Sequence, residues 1–379
     1  MKRLKIEDPT SGVQFSGGSG DNKRREELYR LLINDAKKGD RPTTRKESKL
    51  KAWVQLLRLP NLLTVPGDPI VGFFSWSSIR YYSSSEKGYL DIGNVVMLVP
   101  CILSVLMLYC AGLILNDLMD LNEDRRDRRY RPLPSERISA RSASVVLTVM
   151  FVGGLVAAWF NGTLCAGVAG VLSLAIVTYN AGAKRIPIIG PLNMGLCRGL
   201  SVFMGLAISS SLHLGQNSPD ALITWAKLSM LLSWPFFSIT PMILYIALIA
   251  FIASDETKPG KMRILPWMPA ATVAIWMICL IHPHPQWDSP LSAASLLIIA
   301  GLPVAMAVTC GYRLNGEPEP KTVQRVVGEL VGNLLLIQAA AVYFNSYSTN
   351  AQTEALPFAI ALGLAYPVFI LLCRRFYAS

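Results

Sequence analysis

An acidic run at the end of an apolar segment is the part of this sequence whose residue types point most directly to chemistry. The run NDLMDLNED begins at Asn116 and follows the apolar stretch CILSVLMLYCAGLIL. On a helix, Asp117, Asp120 and Asp124 occupy positions i, i+3 and i+7, so their carboxylates share one face, and Asn116 precedes Asp120 by one turn. An all-oxygen set without His or Cys suits Mg²⁺, which commonly joins carboxylates to the phosphates of a substrate. The spacing therefore predicts a Mg²⁺ site for a phosphorylated ligand.

The plain alternative to a metal site is a solvated acidic helix end followed by a basic loop. Negative charge at the C-terminal end of a helix opposes the helix dipole, so this arrangement is unfavourable as structure alone. Carboxylates at a membrane boundary are also costly and usually serve a function. Both arguments favour the metal site.

The elements that would position this site are apolar helices. Hydrophobic residues make up 52% of the 379 residues and charged residues only 16%, whereas a soluble domain carries about 25% charged residues. The apolar residues fall in runs long enough to span a membrane, which takes roughly 20 residues of helix. The predicted spans are about 58–80, 92–121, 139–160, 162–180, 188–212, 228–253, 265–282, 290–312, 323–345 and 354–373. We therefore expect an all-α, polytopic membrane protein, with residues 1–50 as a disordered tail and residues 51–379 as the membrane domain.

The positions of the basic residues indicate the orientation of these spans. The formal net charge is +11, and the basic residues gather in the first 50 residues and in every second loop, above all between Arg125 and Arg141. Positively charged loops stay on the cytoplasmic side of a membrane. Both termini and the acidic run are therefore expected on that side, or on the stromal or matrix side in an organelle. Because the charge alternates with the spans, it indicates membrane topology and not a nucleic-acid groove.

Other residues accompany the acidic run in a recognisable order. RPLPS, from Arg131 to Ser135, and Ile138-Ser139 follow the run. Further matching points are Leu59-Pro60-Asn61 with Thr64 and Gly67, Tyr179-Asn180 followed by Lys184-Arg185, and GPLNMG from Gly190 to Gly195 with Arg198. Together these residues resemble the UbiA superfamily of intramembrane prenyltransferases over residues 53 to about 270. Glu136 stands where that family usually has glycine.

The resemblance implies a bundle of about nine helices around a central cavity that opens to lipid, against the ten spans counted above. It also implies a prenyl diphosphate substrate held through Mg²⁺, with Asp117, Asp120 and Lys184 in catalytic roles. Lys184 and Arg185 are the expected diphosphate contacts. Arg58, Asn61, Asn116 and Arg131 are further candidates for contacts with the diphosphate, although simple anchoring at the membrane surface would also explain the arginines.

An allylic cation formed from a prenyl diphosphate needs an electron-rich, water-poor environment. Tyr179 is the aromatic candidate, because the face of an aromatic ring attracts a cation by about 0.5–2 kcal/mol; packing at the membrane interface is the other explanation for it. Asp68 lies in VPGDP, where two prolines and a glycine break the first span, so it should line a cavity. It would orient the acceptor or satisfy freed backbone amides. Asn180, Asn193 and Arg198 are the other cavity candidates.

The second acidic motif of the family is degenerate in this sequence. The corresponding run, SDETKPGKMRILP, retains only Asp255 and Glu256 as carboxylates. Adjacent residues on a helix point about 100° apart, so at most one should face Asp117, and Glu256 fits better. We expect one strong and one weak metal position.

These observations predict a Mg²⁺-dependent transfer of a prenyl group from a prenyl diphosphate to a lipophilic acceptor, with an aromatic ring as the first candidate. Two alternatives remain: a membrane terpene cyclase with the same metal site, and a non-catalytic carrier of prenyl lipids. A CDP-alcohol phosphotransferase is excluded, because the Asp-Gly pair that it requires does not follow Asp117. The sequence leaves open the acceptor, the chain length, the membrane and the oligomeric state.

Overall fold

The computed structural model describes residues 49–83, 95–214, 235–254, 264–281, 290–347 and 352–376. The α-helices are α1 Lys49–Leu56, α2 Leu59–Leu62, α3 Gly67–Ser83, α4 Leu98–Met119, α5 Leu121–Asp127, α6 Ala140–Trp159, α7 Thr163–Ala181, α8 Ile189–Leu214, α9 Pro235–Ser254, α10 Met268–Ile281, α11 Pro290–Leu314, α12 Pro320–Tyr347 and α13 Gln352–Phe376. Two 3₁₀ turns, Ala183–Arg185 and Leu265–Trp267, complete the regular elements of these residues. The predicted all-α class is confirmed.

Length and composition make most of these helices suitable for a membrane. Seven helices of the described residues are long and apolar enough to cross one, and Ser238–Ser254 and Leu265–Ile281 are shorter apolar helices. The prediction of a polytopic membrane protein is confirmed. The count of nine or ten spans and the side on which the termini lie stay predictions, and the proposed tail lies outside the described residues apart from Lys49 and Leu50.

Helices α3 and α8 lie backbone to backbone. A Cβ added to Gly72 would stand 1.8 Å from the carbonyl oxygen of Val202, and one added to Gly205 would stand 1.9 Å from that of Pro69. Small residues allow such close helix contacts in membranes. Helix α8 also packs on α7 and α9, while α12 packs on α3, α11 and α13.

The first predicted span is broken near its start, as VPGDP indicated. Helix α2 ends at Leu62, a turn follows, and α3 begins at Gly67. Within the turn, the amide of Asp68 donates to Val65 O at 3.3 Å. In a regular helix that amide would donate to the carbonyl of Thr64. The break therefore leaves the Thr64 carbonyl without its helical donor.

The acidic run is not one continuous helix, contrary to the expectation from its spacing. Helix α4 ends at Met119 and α5 begins at Leu121, with Asp120 between them at φ −88° and ψ 2°. This is the sparsely populated bridge region, where many active-site residues lie. The amides of Asp120 and Asp124 still donate to Asn116 O at 3.0 Å and to Asp120 O at 2.8 Å. The backbone thus turns at Asp120 while keeping these two hydrogen bonds.

Candidate active site

The three aspartates of the acidic run lie at the junction of α4 and α5, and each pairs with a cation from another segment. Asp117 and Asp124 are buried, and Asp120 is half-buried. Bare carboxylates so close together would repel one another, and burial would raise the cost. The basic partners offset this repulsion in the protein itself.

Arg131 lies between two of the carboxylates. Its Nη1 is 2.7 Å from Oδ2 of Asp124 and 3.9 Å from Oδ1 of Asp117. The loop that carries Arg131 is closed by Ser135, whose amide and hydroxyl donate to Arg131 O at 3.0 and 2.6 Å. The RPLPS segment therefore folds so that one guanidinium nitrogen approaches two aspartates.

Lys184 contacts the other half of the run. Its Nζ lies 2.5 Å from Oδ1 of Asp120 and 3.1 Å from Oδ1 of Asn116. It stands in the 3₁₀ turn Ala183–Arg185 that follows α7. Residues 68 positions apart in the chain are thereby brought into direct contact.

Arg58 approaches the run from the first helical segment. Its Nη2 is 3.7 Å from Oδ1 of Asp117, and its backbone has φ 48° and ψ 56°. This left-handed conformation costs a residue with a Cβ roughly 1–3 kcal/mol. Pro60 follows at the start of α2. Such strain is typical of functional positions, where surrounding contacts hold the residue in place.

Tyr179, the candidate for facing the allylic cation, and Arg185, a candidate for contacting the diphosphate, lie in different surroundings. Tyr179 is half-buried, and its side chain interacts electrostatically with the charges of Arg58 and Asp120. Arg185, in contrast, is largely exposed and lies 3.9 Å from the exposed Glu123. Tyr179 is therefore within electrostatic reach of Asp120, whereas Arg185 lies on the exposed side of the site.

Tyr109 is a site residue that the sequence reasoning missed. Its side chain lies close to that of Asn61 and within electrostatic reach of Arg58 and Arg198. The available signal was its position seven residues before Asn116, which is two turns of the same helix. Asn61 is thus placed beside the aromatic ring of Tyr109, close to Arg58.

The four cavity candidates do not form one group. Asp68 and Arg198 form a buried ion pair, with Nε 2.9 Å from Oδ2. Asn180 donates to Ile176 O of its own helix at 2.8 Å, and its buried Oδ1 has no hydrogen-bond partner among the residues that the structure describes. Asn193 donates to the hydroxyl of Thr178 at 3.3 Å. The pair formed by Asp68 and Arg198 is therefore separate in its contacts from Asn180 and Asn193.

The second acidic motif cannot be placed. Asp255 and Glu256 lie outside the described residues, immediately after α9 ends at Ser254. Their role as a second, weaker metal position stays a prediction.

The donor set at the first motif fits Mg²⁺ in one specific way. Within the described residues, no three Asp, Glu, His or Cys side chains are grouped closely enough to hold an ion by themselves. However, the Arg131 nitrogen lies between two carboxylates, and the Lys184 nitrogen lies between Asp120 and Asn116. Proteins usually contribute one or two oxygen donors to a bound Mg²⁺, and waters and substrate phosphates complete its coordination shell. Asn116, Asp117, Asp120 and Asp124 can supply such donors.

Fold and site together define a polytopic helical membrane protein with a cluster of carboxylates and cations at the end of its helices. The model of the UbiA prenyltransferase family matches residues 76–327, well over half of the chain. The chain belongs to this family, as the sequence motifs indicated.

Curated relatives carry one recurring name. A digeranylgeranylglyceryl phosphate synthase from Methanococcus aeolicus is 27% identical over 163 residues, which cover 43% of this chain and 54% of the relative. One from Methanoculleus marisnigri is 31% identical over 121 residues, covering 32% of this chain and 43% of the relative. The chain spans about half the length of the curated relatives it matches.

Solved structures of the family are similar at lower identity. A structure described as digeranylgeranylglyceryl phosphate synthase in membranes is 18% identical with a TM-score of 0.49, covering 80% of this chain and all of the other. A UbiA homologue from Archaeoglobus fulgidus bound to GPP and Mg²⁺ is 16% identical with a TM-score of 0.48, covering 78% and 99%.

Proposed function

We propose that the protein is an intramembrane prenyltransferase that moves a prenyl group from a prenyl diphosphate to a lipophilic acceptor. The observation that carries this proposal is the pairing of buried aspartates with basic side chains from three other segments at the end of α4. Carboxylates that recruit a divalent cation and guanidinium or ammonium groups that bind phosphate oxygens are the two parts a metal-diphosphate site requires. Family membership supports the same reading.

Each part of the cluster has a role in this proposal. Asp117, Asp120 and Asp124, with Asn116, provide oxygen donors for Mg²⁺, which when bound would neutralise charge on the departing diphosphate. Lys184 and Arg131 lie directly on those aspartates. They are therefore placed to transfer their hydrogen bonds from carboxylate to diphosphate oxygens when the substrate enters.

The chemical step is ionisation of the substrate. The bond between C1 of the prenyl chain and the diphosphate oxygen breaks, and the electron pair leaves with the diphosphate. Tyr179, beside Arg58 and Asp120, presents its ring to the allylic cation, an attraction of about 0.5–2 kcal/mol. The acceptor then forms a new bond to C1 and loses a proton.

For the acceptor, the comparisons do not support the expected aromatic ring. The relatives are named for a product that is a glyceryl phosphate carrying geranylgeranyl groups. We therefore infer a hydroxyl group of a glyceryl phosphate lipid as the first candidate, and an aromatic ring as the second. Both fit a site at the membrane edge, where a charged head and an apolar chain can be held together.

The experiment is diphosphate release from radiolabelled geranylgeranyl diphosphate by the purified protein, with and without Mg²⁺. Asp117→Asn and Asp120→Asn should each lower release by about 10²- to 10³-fold, the usual effect of removing one group that stabilises developing charge. Glu123→Gln is the matched control, because Glu123 lies in the same run but is exposed. Its release rate should match that of the unmodified protein.

The products separate the alternatives. Labelled chain joined to a supplied glyceryl phosphate lipid or aromatic acceptor supports the transferase, and a labelled hydrocarbon or alcohol formed without an acceptor supports the cyclase. Mg²⁺-dependent binding without any release, for several chain lengths, would instead favour a carrier.

A further inference from the structure

The break between α2 and α3 exposes a backbone carbonyl that the protein satisfies from two distant helices. Nη2 of Arg198, on α8, donates to Thr64 O at 2.9 Å and lies 3.3 Å from the Thr64 hydroxyl. Nε2 of Gln338, on α12, donates to the same carbonyl at 2.9 Å. Because an unpaired carbonyl is costly inside a membrane, these two donors hold the broken segment in one place.

Asp68 holds both of these donors at once. Its Oδ2 lies 2.9 Å from Nε of Arg198, and its Oδ1 accepts from Nε2 of Gln338 at 2.8 Å. The Asp68 side chain is fully buried. The three side chains, together with Thr64, form what we call the Asp68 network.

The packing around this network leaves it little freedom. A Cβ added to Gly67 would stand only 2.1 Å from Oε1 of Gln338, so the amide lies directly against the backbone at the start of α3. The backbone contacts of Gly72 and Gly205 fix α3 on α8 next to it. The Asp68 network is therefore a rigid joint between α3, α8 and α12.

This joint is connected to the active site through six residues of backbone. The amide and the hydroxyl of Thr64 both donate to Asn61 O, at 3.1 and 2.8 Å, and the amide of Asn61 donates to Arg58 O at 2.9 Å. Arg58 itself is held in the left-handed conformation, 3.7 Å from Asp117. The position of Thr64 therefore constrains the backbone from which the Arg58 side chain extends towards Asp117.

We propose that Asp68 is a positioning residue that acts through Arg58: by holding Arg198 and Gln338 on the Thr64 carbonyl, it places Arg58 for diphosphate binding. The proposal rests on the proposed function, since it assigns Arg58 to the diphosphate. It replaces both sequence-based readings of Asp68. The carboxylate is fully buried, with Oδ1 accepting from Gln338 and Oδ2 facing Arg198 in an ion pair, so it is closed off from an acceptor. Within the described residues, no backbone amide donates to it.

A double-mutant cycle tests whether Asp68 acts through Arg58. The dissociation constant of inorganic diphosphate is measured with Mg²⁺ for the full chain in nanodiscs, for the unmodified protein, Asp68→Asn, Arg58→Met and the double variant. We expect Asp68→Asn to weaken binding roughly tenfold, the lower end of what loss of a supporting contact costs at a binding site. In the Arg58→Met background the same change should weaken binding by no more than about twofold, because its route to the ligand is gone.

A control on the same helix separates positioning from general loss of stability. Asn333 is also fully buried on α12, five residues before Gln338, and donates to Pro303 O at 2.9 Å. Asn333→Leu should lower the thermal midpoint, followed by tryptophan fluorescence, and leave diphosphate affinity within about twofold. If Asp68→Asn does not fold, Gln338→Met takes its place in the cycle, because it removes one of the two donors without changing charge.

The outcomes are distinct. Equal losses from Asp68→Asn in both backgrounds, or no loss at all, would overturn the role through Arg58 while leaving the proposed function intact. A loss of diphosphate affinity in Asn333→Leu as large as in Asp68→Asn would show that stability alone matters. An unmodified protein that neither binds diphosphate nor releases it from geranylgeranyl diphosphate contradicts the proposed function, and this role with it.

Discussion

Two clusters of ion pairs, one at the end of α4 and one inside the bundle, use the same residue types in opposite ways. At the end of α4, Lys184 and Arg131 contact aspartates while 14% and 23% of their own side chains stay exposed. Inside the bundle, Arg198 is 8% exposed and Asp68 is not exposed at all. The inner pair also bonds to a backbone carbonyl and a glutamine.

The difference shows which charges can change partners. In the Asp68 network one carboxylate oxygen accepts from Gln338, and the other forms an ion pair with Arg198, whose Nη2 donates to Thr64 O. Any exchange of partners would therefore leave a buried charge unpaired. At the end of α4, the cations reach the aspartates on long side chains that solvent also touches, so a metal ion and a diphosphate can compete for both. A rigid pair suits positioning, and an exchangeable pair suits binding.

The largest expected effect comes from removing the cation of the rigid pair. Arg198→Met leaves Asp68 buried with only Gln338 as a partner, and breaking a buried pair in this way costs about 3–5 kcal/mol. Lys184→Met removes an equal charge from a pair whose side chains are 14% and 20% exposed, so water can solvate the Asp120 carboxylate that remains. The expected cost is therefore smaller, about 1 kcal/mol. The free energy of unfolding, measured by SDS titration in mixed micelles, compares the two variants. Equal losses would remove the distinction between the clusters.

The next effect concerns exchange at the end of α4. Lys184 contacts the side-chain oxygens of Asp120 and Asn116, so Lys184→Met should free these oxygens for a metal ion. Binding of Mn²⁺, used as a probe for Mg²⁺, should strengthen roughly tenfold in the absence of diphosphate, because a nearby positive charge disfavours a bound cation by about 1 kcal/mol or more. The same variant should bind inorganic diphosphate more weakly. Electron paramagnetic resonance of free Mn²⁺ gives the first quantity and calorimetry the second.

Arg129→Met is the charge-matched control for Lys184→Met. Its guanidinium is exposed and donates to the backbone carbonyl of Arg125 at 3.1 Å, so its removal should change Mn²⁺ affinity little. If Mn²⁺ binding falls in Lys184→Met, or rises equally in both variants, the exchange of partners at Asp120 is wrong.

The cluster at the end of α4 could be predicted from the spacing of residues in the sequence, and the partners in the Asp68 network could not. The acidic run, Lys184 and Arg131 were chosen from motifs, and the structure brings them into contact. The partners of Asp68 could not be predicted in the same way, because Gln338 is 270 residues away in the chain. Periodicity reports which residues share a face of one helix, and it contains no information on which helices meet.

The failures at the acidic run have a physical cause too. A strict i, i+3, i+7 pattern predicts one helix, but the chain turns at Asp120, because the contacts of Asp120 and Asp124 with basic residues of other segments decide the local geometry. Arg185 neighbours Lys184 in the motif, yet its guanidinium lies 3.9 Å from the exposed Glu123 and not among the three aspartates. Its contact with the diphosphate stays a prediction.

The smallest expected effect is at Glu136, in the loop that carries Arg131. Glu136 has φ 59°, a left-handed conformation that glycine adopts freely and a glutamate does not, which explains why the resemblance predicts glycine here. Glu136→Gly should therefore stabilise the protein by at most about 1 kcal/mol, since relief of strain is partly offset by the greater freedom of glycine in the unfolded chain.

The free energy of unfolding of Glu136→Gly is again measured by SDS titration. Ser144→Gly, in the regular part of α6, is the control and should destabilise the protein. If the loop merely supports an exchangeable cation, diphosphate affinity in Glu136→Gly should stay within about twofold; a large change in affinity would mean that the loop is as rigid a joint as the Asp68 network.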